Sequence, residues 1–270
     1  MNLSMLQASN TMGQLHHKLD LIGHNMANTR TPGYKSRQAD FASLLSQQIN
    51  NQSDEEAEVN RLTPEGIRVG SGAKLAHTNI DLTQGVMEET GRGLDIALRE
   101  DNHLFQLQVE TEAGLETQYT RAGNFYLSPM ENGQVMLTNS NGRPVLDDNE
   151  APLTFIDNME EISVREDGAI MVTRDGVQEA EGQLGVVEAV RPRMLEAAGG
   201  NRFRIPEEAE AEGILAGTEA QVASGTLESS NVDLAKQMTD MQNAQRAYEF
   251  NSRSISTGDE MMGLVNQLRS

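Results

Sequence analysis

Both ends of this chain carry apolar side chains at intervals of seven, and that spacing constrains the fold more than any other feature. Near the start Met5, Met12, Leu19 and Met26 recur every seventh residue, with Ala8, Leu15 and Ile22 interleaved. An α-helix turns once in about 3.6 residues, so these positions share one side and call for another helix against them. Near the end Leu227, Leu234, Met241, Tyr248, Ile255 and Met262 repeat at the same interval, widened by Val232, Met238, Val265 and Leu268. The alternate seam positions there are polar (Asn231, Gln245, Ser252, Asp259, Asn266), which makes this second helix a weak partner when alone. Ser4 is placed to cap the first helix, and Pro32 with Gly33 stops it soon after Asn28.

Charge separates the ends from the middle. Of the formal net charge of −20, residues 1–50 and 222–270 together contribute nothing, while residues 51–221 hold 13 basic and 33 acidic side chains. Residues 46–63 are polar, acidic and poor in large apolar side chains, the composition of a flexible linker, and Glu207 to Glu212 mark a second acidic border. Between them the texture alternates and turns often. Asn132 with Gly133, Asn141 with Gly142, Asp167 with Gly168 and Asp175 with Gly176 are hairpin dipeptides set between short runs such as 135–137, 162–164 and 169–172. The expected class is therefore α+β: N- and C-terminal α-helices forming a coiled-coil-like core, with a central antiparallel β domain. The expected division is 1–45 and 214–270 for the helical core, 46–63 for the linker and 64–213 for the β-rich domain.

Composition narrows the chemistry. The acidic excess argues against nucleic acid and anionic membranes as general partners. The absence of Cys removes thiol catalysis, disulfides and thiolate metal sites. No apolar run reaches the roughly 18 residues of a membrane span. The opening residues lack the basic segment and unbroken apolar stretch of a cleavable secretory signal, so any export is expected to use another route. His17, Asp20 and His24 share a helical side but fall outside the apolar stripe, which predicts solvent rather than a metal. The run from Asp147 to Glu150 lacks the alternation of a calcium loop, and the glycine pairs at 70–72 and 91–93 complete no phosphate-binding loop. Arg191, Arg193, Arg202 and Arg204 form a basic cluster whose expected partners are neighbouring Glu side chains. No catalytic residue, cofactor site or metal site is assigned.

The stretch from Leu19 to Lys35, LDLIGHNMANTRTPGYK, resembles the heptad helix and the N-x-x-N-x-x-T-P-G-[FY]-K motif of bacterial flagellar rod and hook proteins, carried here by Asn25, Asn28 and Thr31 to Lys35. Residues 227–234 and 245–251, LESSNVDL and QRAYEFN, are similar to the C-terminal signature of the same family. Residues 85–98, 119–125 and 199–203 are similar to internal segments of its distal-rod type. The chain departs from the family where rod proteins continue with G-x-G-F-F, since residues 99–105 read REDNHLF, and the pattern resembles that of a minor hook-basal body protein of the Gram-positive type.

The resemblance implies a structural axial subunit of the flagellar basal body, not an enzyme. It implies export through the flagellum's own type III apparatus and helical stacking with itself and with other rod and hook subunits, transmitting torque. The expected assembly interface comprises Met5, Met12, Leu15, Leu19, Ile22, Met26, Asn28, Pro32 and Gly33 at one end, and Leu234, Met238, Met241, Tyr248, Ile255 and Met262 at the other. Two rival readings use the same residues. A secreted β-domain hydrolase needs a pocket of converging polar groups, and a coiled-coil adhesin needs the heptads but not the pattern at Asn25, Asn28, Thr31 to Tyr34 and Gln245 to Tyr248.

Overall fold

The computed structural model describes residues 2–43, 46–49, 67–70, 73–112, 114–206 and 213–269. They form two helices, α1 (Asn2–Ala27) and α2 (Leu234–Arg269), and a mostly antiparallel set of strands between them. The chain divides into two compact units. One contains Met1–His24, Gln38–Thr78 and Ala235–Ser270, and the other Asn25–Arg37 and Asn79–Leu234.

In the helical unit, α1 buries Ala8, Leu15 and Ile22, each seven residues from the next, while Met5, Met12 and Leu19 are half-buried along their flank. Helix α2 buries a different line from the one its apolar residues suggest: Gln237, Ala244 and Gly258 are enclosed and Asn251, in register with them, is half-buried. Small side chains let another surface come close. A Cβ added at Gly258 would stand 3.2 Å from Met5 Cγ and 3.3 Å from Met5 Sδ, so α1 meets α2 there. This unit also holds the strand pair Ser46–Ile49 and Ile67–Gly70. The acidic linker expected over 46–63 thus opens on a strand; the rest of it, and the acidic border at 207–212, lie outside the described residues.

Two boundaries differ from the sequence reading. Ser4 lies inside α1 rather than at its cap, because the helix already runs from Asn2. Leu227 is not helical: the strand Thr226–Glu228 pairs with Met87–Glu89, and ladder bonds override a seven-residue periodicity that has no helix to sit on. Asn231 accordingly precedes α2 instead of lying on its seam.

The β unit is built on a six-stranded sheet in the order Glu196–Gly199, Arg202–Arg204, Gly114–Thr120, His103–Thr111, Val186–Ala189, Leu215–Gly217. Alternation along its strands feeds two cores. Phe105, Leu107 and Val186 point into one, with Leu137, Phe155 and Ile170 from two three-stranded sheets. Leu104, Tyr119 and Val187 point into the other, with Phe203 and Ile214. Phe105 and Phe125 meet edge to face, 5.1 Å apart at 82°. All four hairpin dipeptides sit at turns, with Gly133, Gly142, Gly168 and Gly176 at φ between 74° and 79°. The clearest is Asp175 and Gly176, both left-handed, joining Ala169–Arg174 to Val177–Gln183 as a two-residue hairpin loop requires.

Candidate functional site

The two end motifs, almost 200 residues apart in sequence, meet inside the β unit. Where α1 ends, Asn28 N–H bonds back to Asn25 O and Thr31 N–H to Asn28 O, and Pro32 prevents the helix from resuming. Asn25, 1% exposed, ties the turn together: its Nδ2 donates to Arg37 O at 2.8 Å, and its Oδ1 accepts from Tyr34 Oη and from Arg37 N–H, each at 3.1 Å. Gly33 takes φ +64°, and a Cβ there would lie 2.6 Å from the backbone of Arg121 and Ala122. Only glycine combines that conformation with that approach. Gly33 N–H then reaches Glu228 O at 2.7 Å, stitching the turn to the C-terminal signature.

Beneath this turn three charged side chains are fully enclosed. Lys35, Arg121 and Glu228 have side chains 0%, 0% and 2% exposed. Lys35 Nζ donates to Glu228 Oε1 at 2.6 Å and to Thr83 O at 2.6 Å. Arg121 Nε donates to Glu228 Oε2 at 2.5 Å, and its Nη atoms donate to Asp101 O, His103 O and Leu98 O. Gly85 N–H completes the carboxylate's shell at 2.7 Å. Two cations therefore answer to one buried anion. Burial pushes the Lys35 ammonium below its ordinary pKa, against the pull of Glu228 and with the repulsion of Arg121. Hydrogen bonds to four carbonyls satisfy the donors that the carboxylate cannot, which is the condition under which buried charge is tolerated.

Asn231 closes the other side. Its Oδ1 accepts from Ser36 N–H at 2.7 Å, and its Nδ2 donates to Asp81 O at 2.9 Å and Thr83 O at 3.0 Å. The segment leaving α1 and the segment entering α2 are thus held by one network of buried polar groups. Its chemistry is that of a fastening: every named polar atom is spent on a partner within the chain.

Of the residues expected at an assembly interface, Leu15, Ile22 and Gly33 are buried, and Met5, Met12, Leu19, Met26, Asn28, Pro32, Met241, Tyr248, Ile255 and Met262 are half-buried. Leu234 and Met238 are exposed. Farther along α2 Phe250, Met261, Leu264, Val265 and Leu268 are all exposed; the last four follow the i, i+3, i+4, i+7 spacing of one helix side, and Phe250 falls on that side too. Sequence reasoning did not single out Glu228 or Arg121, which stand inside the quoted motifs but read as surface charges.

His17 and His24 are exposed, and His16 Nδ1 lies 3.0 Å from Asp20 Oδ2 at the surface. Asp147 Oδ1 accepts from Asn149 N–H and Ala151 N–H, 2.8 Å each, so it serves its own turn. Arg204 pairs with Glu196 at 3.1 Å, as expected of the basic cluster. An open depression of about 610 Å³ is lined by Arg99, Asp148, Glu166, Asp167, Gln183 and Glu219 among others, with Arg99 paired to Glu166 at 2.8 Å. Among the described residues no group of three His, Asp or Glu is placed to hold a metal, and no helix is long and apolar enough to cross a membrane.

Comparison with known proteins places these features in a common setting. Residues 223–268 match the family described as flagellar basal body rod FlgEFG protein C-terminal, and residues 102–172 the flagellar hook protein FlgE/F/G D1 domain. The flagellar hook-basal body complex protein FlhP of Bacillus subtilis is 36% identical over 272 residues, covering 98% of this chain and 99% of that protein. The flagellar basal-body rod protein FlgG of Borreliella burgdorferi is 33% identical, covering 97% of each. FlgG of Bacillus subtilis is likewise 33% identical, covering 98% and 99%.

Proposed function

Because this chain belongs to the flagellar basal-body rod and hook-basal body protein family, we propose that it is a structural axial subunit that assembles helically through its terminal helices and carries torque. Its location is the flagellar hook-basal body, as for those relatives. Its neighbours are further copies and other rod and hook subunits, and it reaches them through the flagellar export apparatus. It performs no catalysis.

The observation that supports assembly is the apolar side left open on α2. A helix rich in exposed Phe250, Met261, Leu264, Val265 and Leu268 gains stability only when another surface covers it. The expected interface residues would divide the work. Leu15 and Ile22 close α1 onto its own subunit, while the half-buried Met5, Met12, Leu19 and Met26, with Met241, Tyr248, Ile255 and Met262, complete a coiled-coil-like core once neighbours arrive. Asn28, Pro32 and Gly33 act one step removed, by fixing where the chain leaves the helix.

The buried fastening gives this reading its mechanics. Force applied to either helix enters the β unit at the same enclosed cluster, so neither end can be pulled without straining Lys35, Arg121 and Glu228 together. Head-to-tail contacts between copies that do not close into a ring extend as a helical stack.

A deletion strain complemented with Leu264→Asp tests the proposal. Leu264 is 60% exposed, so the free subunit should keep its circular dichroism and melting profile, whereas the assembled seam would have to bury an unpaired carboxylate. Loss of swimming and of incorporation into basal bodies is expected, with His17→Asp swimming normally. A Leu264→Asp strain that swims like wild type would remove the helical-seam reading and return the adhesin to consideration.

A further inference from the structure

One arginine pair lacks the carboxylates that its neighbours have. Arg99, Arg174 and Arg204 each hold a glutamate, Glu166, Glu181 and Glu196 respectively. Among the described residues Arg143 and Arg202 do not, in a chain with 41 acidic side chains against 21 basic ones. Both are half-buried, and Arg143 Nε and Arg202 Nη1 are enclosed atoms without a hydrogen-bond partner among the described residues. Burial, followed by the charge of Arg143, lowers the Arg202 pKa, and Glu116 is the carboxylate that partly offsets this. Glu116 is itself engaged by Gln118 Nε2 at 3.2 Å.

The backbone beside this pair is shaped to leave a gap. Gly199, Gly200 and Asn201 take φ of 79°, 58° and 59°, three left-handed residues in a row. Asn201 tolerates the conformation better than most side chains and is anchored there, donating from Nδ2 to Pro32 O at 3.1 Å. A Cβ built on Gly200 would stand 3.5 Å from Arg202 Nε, 3.5 Å from Asn141 Nδ2 and 3.7 Å from Arg202 Nη2. Setting aside its chain neighbours, the three nearest heavy atoms are nitrogens; Arg202 Nε already donates to Gly199 O at 3.1 Å, which leaves the Arg202 Nη atoms and Asn141 Nδ2 facing that point. Gly200 and Asn141 are exposed, so the gap opens to solvent.

We propose that this niche receives the carboxylate of an Asp or Glu side chain from a second copy of the chain in the axial stack, an inference that rests on the axial reading above. A planar guanidinium fork beside an amide donor matches a carboxylate in shape and charge. Copies carrying a net charge of −20 repel one another, and a seated carboxylate turns one such approach into an attraction that also fixes register.

The test uses the full chain in assembled basal bodies. Arg202→Lys and, separately, Arg143→Lys are expressed in the deletion strain. Both keep the positive charge but lose the planar fork, so incorporation is expected to persist at a reduced level with weakened swimming. Isolated basal bodies are then treated with a carbodiimide, which joins an amine to a touching carboxylate. The expected result is a covalent dimer, absent from wild type, whose linked peptide joins position 202 or 143 to an Asp or Glu of the second copy. Linkage confined within one chain, for example to Glu116, overturns the niche. So does the absence of any new linkage while native lysines react, whereas failure of both variants to incorporate despite wild-type circular dichroism supports it, since lysine cannot reproduce the fork. If the wild-type chain is itself missing from basal bodies, the axial reading falls and the niche with it; if it is present and the new amine finds no second copy, only the niche falls.

Discussion

Glu228→Gln should be the most damaging single change in the β unit, and it should be worse than removing the lysine that Glu228 binds. The reason is the charge balance of the enclosed cluster, in which Lys35 and Arg121 share one carboxylate, all three nearly inaccessible to water. Glu228→Gln keeps the side chain's length but leaves two buried cations unanswered and turns one acceptor into a donor. Removing one partner of a buried pair costs about 3–5 kcal/mol, and here both cations lose theirs. Lys35→Met instead leaves Arg121 and Glu228 as a balanced pair and forfeits mainly the bond to Thr83 O, a loss of about 1–3 kcal/mol. Glu196→Gln breaks the Arg204 pair, 45% and 50% exposed, and should change stability by no more than about 1 kcal/mol. Urea unfolding of the full chain, followed by near-ultraviolet circular dichroism of the buried Tyr34 and Tyr119, gives all three values; no Trp obscures the signal. The pH dependence adds a second reading. Folded Lys35 releases its proton below the ordinary 10.5 while the unfolded chain retains it, so wild-type stability gains as pH rises through that interval, and Lys35→Met lacks the gain. If Lys35→Met proves as costly as Glu228→Gln, charge balance does not govern the cluster.

Two further outcomes follow from the same unit. Gly33→Ala should cost more than about 2 kcal/mol, since the left-handed backbone is disfavoured for alanine and the new Cβ meets the Arg121 backbone at 2.6 Å; an unchanged urea midpoint would show that the turn can move aside. Tyr119, pushed up to about 12 by burial and then by Glu150 and Glu116, keeps its proton in the folded chain after the unfolded chain has lost it near 10.0. Stability should therefore be intact below pH 10 and fall by about 3 kcal/mol toward pH 12, a decline that Tyr119→Phe should largely abolish in unfolding curves taken across that range.

The turns and strands were legible because their signals are local. An Asp and a Gly between alternating residues specify a hairpin through backbone geometry alone, and Asp175 with Gly176 forms one. Leu227 was misread for the opposite reason. Its seven-residue spacing from Leu234 is a local coincidence, and the strand at Met87–Glu89 that claims it is well over a hundred residues distant. The fastening was half legible. The motif around Thr31 to Lys35 could be seen to end a helix, but a Lys, an Arg and a Glu look like solvated surface until a fold encloses them together. Nothing in one sequence says that Lys35 will meet Glu228.

The helices show the limit of periodicity most clearly. Counting apolar residues on α2 selects Leu234, Met241, Tyr248, Ile255 and Met262, yet the enclosed line is Gln237, Ala244 and Gly258, with Asn251 between. The two lines are adjacent on the helix, and close approach decides which is covered: a surface bearing Met5 can nest against Gly258, where a larger residue would hold it away. That choice displaces the apolar residues to either side of the seam, half-buried on one flank and open in the stripe ending at Leu268 on the other. A helix meant only to stabilise its own subunit would gain by burying its largest apolar residues and exposing its small and polar ones. This helix does the reverse, the pattern that the axial proposal accounts for by packing additional surfaces against the flanks. The small-residue line therefore carries information that a hydrophobicity count discards. It marks the contact made within the subunit, and on the axial proposal above the apolar side chains are those left for contacts between subunits.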